Sequence, residues 1–376
     1  MQKLTKYHRV TAVSLLMSLS YFTPSHSNYA ASVSSGSDTI DLFSGNKIGY
    51  KVSRVKAPTG SLKTNAVDVA IWYPTGATSG PKAEYIFGQT RSTSDAIRDA
   101  PVKSGSFPFL IYSHGVTGGG TSSAFICESL ARKGFIVAAA DHTDKYSFTR
   151  IREPVQELKD MKALRKVAVL AYMERVRTVL LNRKAKESRK YISYRPRQVK
   201  ATIDYMLKDV TFKNHIDSNR VGMFGHSFGG WTTLSVLGTI PEYHDPRIKA
   251  AVVLSSAVNK NIFSREEMAR IKVPVMFMYG ESEVKQGRGS DREHFYNPTN
   301  SSKYLVGIRD AGHLTFAGGG KKAPPHVNSF LKNDPARTAI TRYTVAFMQY
   351  YFGKDEPAQQ QLAIKGNYVT EYIKEK

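Results

Sequence analysis

One short stretch could do chemistry. Gly225-His226-Ser227-Phe228-Gly229-Gly230 sets a serine between glycines, after the apolar run Arg220-Val221-Gly222-Met223-Phe224 and before Trp231 to Leu237, which reads as a helix. This is a G-x-S-x-G pattern between a strand and a helix. A serine hydroxyl becomes a useful nucleophile when a sharp turn holds it out beside a base. Bulky side chains at Gly225 and Gly229 would keep strand and helix apart. The turn also leaves the backbone N–H of Phe228 at a helix N-terminus, where it can donate to a developing oxyanion.

A serine so placed needs a base that titrates near neutrality, which means histidine. His313 is the first candidate, because it follows the apolar run Lys303 to Ile308 in Ala311-Gly312-His313-Leu314, a loop free to reach back across a sheet edge. His294 and His326 are runners-up, and His226 is expected to point away from the serine it adjoins. The carboxylate that orients the base should follow a strand between serine and histidine. Glu283 stands three residues beyond Gly280, at the end of Val273 to Tyr279; Glu281 is the alternative acid and Asp291 the third. Glutamate can replace aspartate in this role.

Phe107 to Tyr112 reads as a buried strand running into Ser113-His114-Gly115-Val116-Thr117-Gly118-Gly119-Gly120. Such a Gly-rich loop is where a second oxyanion donor sits, here the N–H of Val116. His114, Gly115 and Thr117 are expected to line the substrate, with His114 shaping the loop rather than serving as base. Asp141-His142 ends the next strand, Gly134 to Ala140, at the edge where open α/β sheets bind ligands. A binding role and simple hydrogen bonding to neighbouring loops are both open there.

These candidates need a scaffold, and the chain spells one. Ile48 to Val55 and Ala66 to Tyr73 read as β segments, and 74–106 as a surface excursion rich in Gly, Ser, Thr and Pro. Ser122 to Arg132 reads as a helix. Residues 150–193 form a basic helical insertion or cap, with Leu158, Met161, Leu164, Val167, Leu170 and Ala171 at helical spacing. Pro196 opens a further helix. Ile248 to Leu254 is another strand, and Ala336 to Phe352 is a long final helix. Strands alternating with helices predict an α/β fold, a mostly parallel central sheet with helices on both faces. The domain is expected over 47–353, with a linker at 32–46 and a C-terminal tail at 354–376.

Composition narrows the setting. The formal net charge is +23, which favours anionic surfaces such as membrane or envelope polymers, and no nucleic-acid signature accompanies it. Lys3, Lys6 and Arg9, a short apolar run from Val10 to Phe22 and the small residues after it have the shape of a cleaved signal peptide over 1–31, hence a secreted or periplasmic protein. Cys127 is the single cysteine and is expected to be a buried apolar residue, so no intrachain disulfide forms. No clustered metal-ligand motif is present, and neither a metal nor an organic cofactor is expected.

The stretches Ile71-Trp72-Tyr73-Pro74, Ser113 to Gly118, Gly134 to His142, Gly225 to Gly230 and Ala311-Gly312-His313 together resemble the α/β-hydrolase superfamily. Within it they are similar to the platelet-activating-factor acetylhydrolases, dienelactone-hydrolase-like proteins and bacterial cutinase-type polyester hydrolases. The resemblance implies Ser227 as nucleophile, His313 as base, and Val116 and Phe228 as oxyanion donors. Two departures stand out. Where the acetylhydrolases carry their acid, after the strand following the elbow, this chain has Ser255-Ser256; where the cutinases carry an aspartate, it has a glutamate. The basic insertion has no counterpart in the compact cutinases. The expected activity is an exported serine hydrolase cleaving small-molecule or lipid carboxylic esters through an acyl-enzyme. The alternatives are a lipase or phospholipase with a membrane-facing cap, and a non-catalytic envelope-binding protein on a hydrolase scaffold.

Overall fold

A computed structural model describes residues 34–35, 38–58, 65–153, 161–181, 191–256, 262–286, 302–318 and 326–375. The expected signal peptide, His294 and Asp291 lie outside them. In chain order the main elements are β1 (Lys47–Lys56), β2 (Ala66–Thr75), β3 (Lys82–Phe87), β4 (Thr90–Arg98), β5 (Phe107–Ser113), α1 (Ala124–Arg132), β6 (Ile136–Ala140), α2 (Ala163–Leu181), α3 (Tyr194–Met206), β7 (Ile216–His226), α4 (Phe228–Leu234), β8 (Ile248–Leu254), β9 (Val275–Gly280), α5 (Glu281–Lys285), β10 (Lys303–Ile308), α6 (Pro335–Gly353), α7 (Glu356–Gln361) and β11 (Val369–Glu375). The strands form one 11-stranded sheet in the order β11-β10-β9-β8-β7-β5-β6-β2-β1-β4-β3. From β6 to β10 neighbouring strands run parallel; β2 and β11 flank that block antiparallel.

Alternation along the strands separates two apolar layers. Leu110 and Tyr112 of β5 join Phe125 of α1 and Phe347 of α6 on one face. Phe109 and Ile111 join Ile203 of α3 and Leu234 of α4 on the other. Burial on both faces is what continuous apolar strands of a parallel sheet require. From β5 the chain steps to β6 on one side, and from β7 it proceeds to β8, β9 and β10 on the other. The reversal opens a crevice at the carboxyl ends of β5 and β7, the place where such sheets take ligands.

Three expectations are corrected. Residues 74–106 are not a loop excursion: β3 and β4 form a hairpin that completes the sheet, with Tyr85 buried and accepting the Trp72 indole N–H at 2.7 Å. The 354–376 segment is no separate tail, because β11 pairs with β10 and buries Val369. Of the expected linker, 38–46 is anchored: Ile40 and Leu42 are buried, and Asp38 pairs with Arg342. The apolar residues of α2 do not all face inward. Val169, Tyr172 and Val176 are buried, whereas Leu164, Val167 and Leu170 are exposed. Helical spacing identified the helix, and the packing decides which of its apolar residues turn inward.

Candidate active site

The elbow forms as its glycines require. Ser227 sits between β7 and α4 at φ 56°, ψ −118°, a strained conformation for a side-chain-bearing residue. Its N–H donates to Leu254 O at 2.9 Å, tying the turn to the end of β8. A Cβ on Gly229 would collide with the carbonyl of Ser113 on β5, and one on Gly225 with the carbonyl of Gly229. The serine is thereby pressed against the β5 loop, and a Cβ on Gly115 would stand 3.1 Å from that of Ser227.

His313 Nε2 lies 2.9 Å from Ser227 Oγ. On the other side of the ring, Nδ1 lies 3.1 Å from Glu283 Oε1 and 2.6 Å from Ser255 Oγ, whose hydroxyl donates to the same Glu283 oxygen at 2.6 Å. With Nδ1–H aimed at these oxygens, Nε2 is free to accept the Ser227 proton. Glu283 Oε2 accepts the Gly280 N–H at 2.8 Å. Burial alone would push the Glu283 carboxyl up, but the hydrogen bonds from His313, Ser255 and Gly280 N–H hold it below the usual carboxylate range. Ser255 is also at positive φ, 44°.

The other candidates have different duties. Glu281, the alternative acid, pairs with Lys285 at 2.9 Å and accepts the Asp310 N–H at 3.2 Å; it braces the loop before His313 instead of reaching the ring. His326 pairs with Asp95 of β4. His226 is no base for Ser227 but touches the ring that is: its own ring lies 4.9 Å from that of His313, and its Nε2–H donates to His313 O at 2.9 Å. Burial, followed by the neighbouring His313, pushes the His226 imidazole down to about 3, so it stays neutral.

Phe228 follows Ser227 directly, and Val116 follows Gly115, where a Cβ would stand 3.1 Å from that of Ser227. Among the described residues, neither the Val116 nor the Phe228 N–H donates a hydrogen bond. His114 is not a substrate contact: it is fully buried, its Nε2 accepts the His142 N–H at 3.0 Å, and its Nδ1–H donates to Gly115 O at 2.7 Å. Its ring is needed to hold the loop and leaves no face for a ligand. Thr117, at φ 62°, spends its hydroxyl on Val116 O at 2.6 Å, and its carbonyl accepts the Phe148 N–H. Asp141 and His142 hydrogen-bond neighbouring loops: Asp141 accepts the N–H groups of Gly120 and Ile151, and His142 bonds Ser113 and Gln198.

Sequence reasoning missed two groups. Ser255 looked like an empty acid position, yet it completes the His313–Glu283 contact. Arg195, fully buried on α3, pairs with Asp144 behind the β5 loop. A buried arginine has no periodic signature; the one hint was a carboxylate, Asp144, following the ligand-facing end of β6. Among the described residues, no group of three or more His, Cys, Asp or Glu is placed to hold a metal ion, and no helix is long and apolar enough to cross a membrane.

Residues 81–365 match the family model of platelet-activating factor acetylhydrolase, isoform II. The chain belongs to that family. Among curated relatives, platelet-activating factor acetylhydrolase of Cavia porcellus is 27% identical over 284 residues, 70% of this chain and 62% of its own length. Cutinase 2 of Thermobifida cellulosilytica is 31% identical over 166 residues, 43% of this chain and 53% of its own length. The chain thus spans about three-fifths of the acetylhydrolase relative. A solved ferulic acid esterase from Streptomyces cinnamoneus covers 87% of this chain and 98% of its own at a TM-score of 0.57 and 19% identity, which shows the shared fold. In this chain Glu283 follows the end of β9 and Ser255 follows the end of β8.

Proposed function

We propose that the protein is an exported serine hydrolase that cleaves carboxylic esters. The observation that carries this reading is the strained Ser227 with its Oγ 2.9 Å from His313 Nε2, the same ring being held from behind by Ser255 and Glu283. In the mechanism, Ser227 Oγ attacks the ester carbonyl carbon as its proton passes to His313 Nε2. Glu283 stabilises the imidazolium, while the Val116 and Phe228 N–H groups receive the oxyanion. Collapse expels the alcohol, which takes the proton from His313. Water, deprotonated by the same ring, then attacks the acyl-enzyme, and the acid leaves as Ser227 recovers its proton. No step needs a cofactor. The acetylhydrolase relatives suggest a short acyl group, and the basic leader pattern of 1–31 suggests export.

The exposed stripe on α2 favours a lipid-borne ester. Leu164, Val167 and Leu170 are 86%, 63% and 53% exposed, with Lys162 and Lys166 beside them. An apolar stripe with basic neighbours suits the surface of an anionic bilayer. The test of the esterase reading is hydrolysis of p-nitrophenyl esters of graded chain length beside Ser227→Ala. Activity should vanish in the variant, and wild type that hydrolyses no chain length and takes no fluorophosphonate label at Ser227 would overturn it. For the lipid reading, phosphatidylglycerol-containing vesicles should sediment the wild type better than they do a Leu164→Asp/Val167→Asp variant. Equal sedimentation of the two would remove that arm.

A further inference from the structure

Arg195 lies outside the set of groups that touch the reacting atoms, yet its side chain contacts both sides of the oxyanion frame. It is fully buried at the start of α3. Its Nε donates to Asp144 Oδ1 at 3.1 Å, and Nη2 pairs with Asp144 Oδ2. Tyr194 OH donates to Asp144 Oδ1 at 2.6 Å. The remaining donors go to the β5 loop: Nη1 to His114 O at 2.6 Å and Nη2 to Gly115 O at 3.2 Å. The guanidinium plane also covers the ring of Phe228, with Cζ 4.0 Å from the centroid.

The chemical consequence follows from the peptide bond. Gly115 C=O and Val116 N–H belong to one planar trans unit, so they point in opposite directions. Whatever holds the carbonyl back aims the N–H forward. Gly115 O accepts from Arg195, from His114 Nδ1–H at 2.7 Å and from Gly118 N–H at 3.1 Å. The arginine also touches residue 228, whose N–H is the second donor. Glycine at 115 offers little resistance to a peptide flip, and a flip would turn a carbonyl oxygen, not an N–H, toward the developing negative charge. Asp144 neutralises the guanidinium, so the pair acts through orientation, with little net field at the serine. A lysine could keep the charge but lacks the fork that reaches Asp144 and two carbonyls at once.

We propose that Arg195, held by Asp144, is a positioning residue for the oxyanion hole, fixing the Gly115–Val116 peptide and the Phe228 ring so that both N–H groups face the Ser227 oxygen's target. This inference rests on the esterase reading given above. The ester assay on wild type and Ser227→Ala tests that reading by itself. The positioning role is tested with Arg195→Lys and with the double variant Arg195→Met/Asp144→Leu. The latter replaces the buried pair by apolar side chains, a change that commonly preserves folding.

Each variant is measured per mole of fluorophosphonate-reactive serine, so that misfolded protein does not count. Removing one oxyanion donor costs about 10²–10³ in kcat; misaiming it should cost about 10- to 100-fold, with KM changed less than threefold. Affinity for phenylboronic acid, which forms a tetrahedral adduct on the serine, should fall in parallel with kcat. Affinity for a non-hydrolysable ketone-free amide analogue of the substrate, which leaves the carbonyl planar, should not. A purely structural role would leave the folded, titrated enzyme with wild-type kcat and boronate affinity, and that result in either variant overturns the proposal. If the double variant yields no reactive serine, Arg195→Lys decides on the same criteria.

Discussion

Glu283→Gln tests which carboxylate serves His313. Glu283 Oε1 lies 3.1 Å from His313 Nδ1. At that distance, with an effective dielectric of about 20, the attraction to an imidazolium is about 5 kcal/mol. Two features reduce what the substitution loses. The His313 side chain is 28% exposed, so solvent screens part of the field. Ser255 Oγ, 2.6 Å from Nδ1, still accepts the ring proton and preserves the tautomer. A net loss of about 3–4 kcal/mol in the transition state corresponds to a fall of about 200- to 1,000-fold in kcat/KM. Adding Ser255→Ala removes the second acceptor, and the double variant should approach the roughly 10⁴-fold loss that follows when a triad acid can no longer hold the tautomer. Ser255→Ala alone should cost about tenfold. The assay is steady-state hydrolysis of p-nitrophenyl acetate at pH 7.5, normalised to titrated serine. Glu281→Gln is the control and should stay within twofold, because Glu281 pairs with Lys285. A loss below threefold for Glu283→Gln, or an equal loss for Glu281→Gln, would refute the assignment.

Three further expectations follow from the same contacts. Because the Glu283 carboxyl is held below its ordinary value of 4.5, its stabilising contribution is fully present above that pH and is lost as the pH falls through the lower folded value; the urea midpoints of wild type and Glu283→Gln should therefore differ at pH 7 and converge below pH 4.5, and a gap that widens there would show the sign to be wrong. Gly229→Ala puts a Cβ onto the Ser113 carbonyl, which belongs to a central strand and cannot move aside; urea unfolding should show a loss of about 3 kcal/mol or more, and a loss under 1 kcal/mol would contradict the packing. Truncation after Gly366 removes β11, with its buried Val369 and Tyr372; at about 2 kcal/mol for each side chain, stability should drop by about 4 kcal/mol, measured by chemical denaturation, and an unchanged midpoint would mean the strand contributes nothing.

Much of this protein was determined by local sequence. The G-x-S-x-G turn, the apolar strands and the Gly-rich loop after β5 are short-range patterns, because a turn's φ requirement and a strand's burial act over a few residues. Ser227 and His313 were nameable for that reason, as was the preference for Glu283, which follows its strand at a fixed spacing. The helix α2 was legible as a helix, but its inward face was not, since a helix carrying apolar residues on more than one stripe is oriented by what packs against it. Strands at the two margins of the sheet were harder still. β3, β4 and β11 carry polar residues and loop-like composition, and they become strands by adding to a sheet that already exists. What only tertiary structure decided is the set of contacts between distant segments. Ser255 meets His313 across 58 residues of chain, and Arg195 meets His114 across 81. No local propensity encodes those meetings. They arise where the reversal in strand order brings the ends of β5, β7, β8 and β9 to one edge, and where a buried charge must find its partners or not be buried at all.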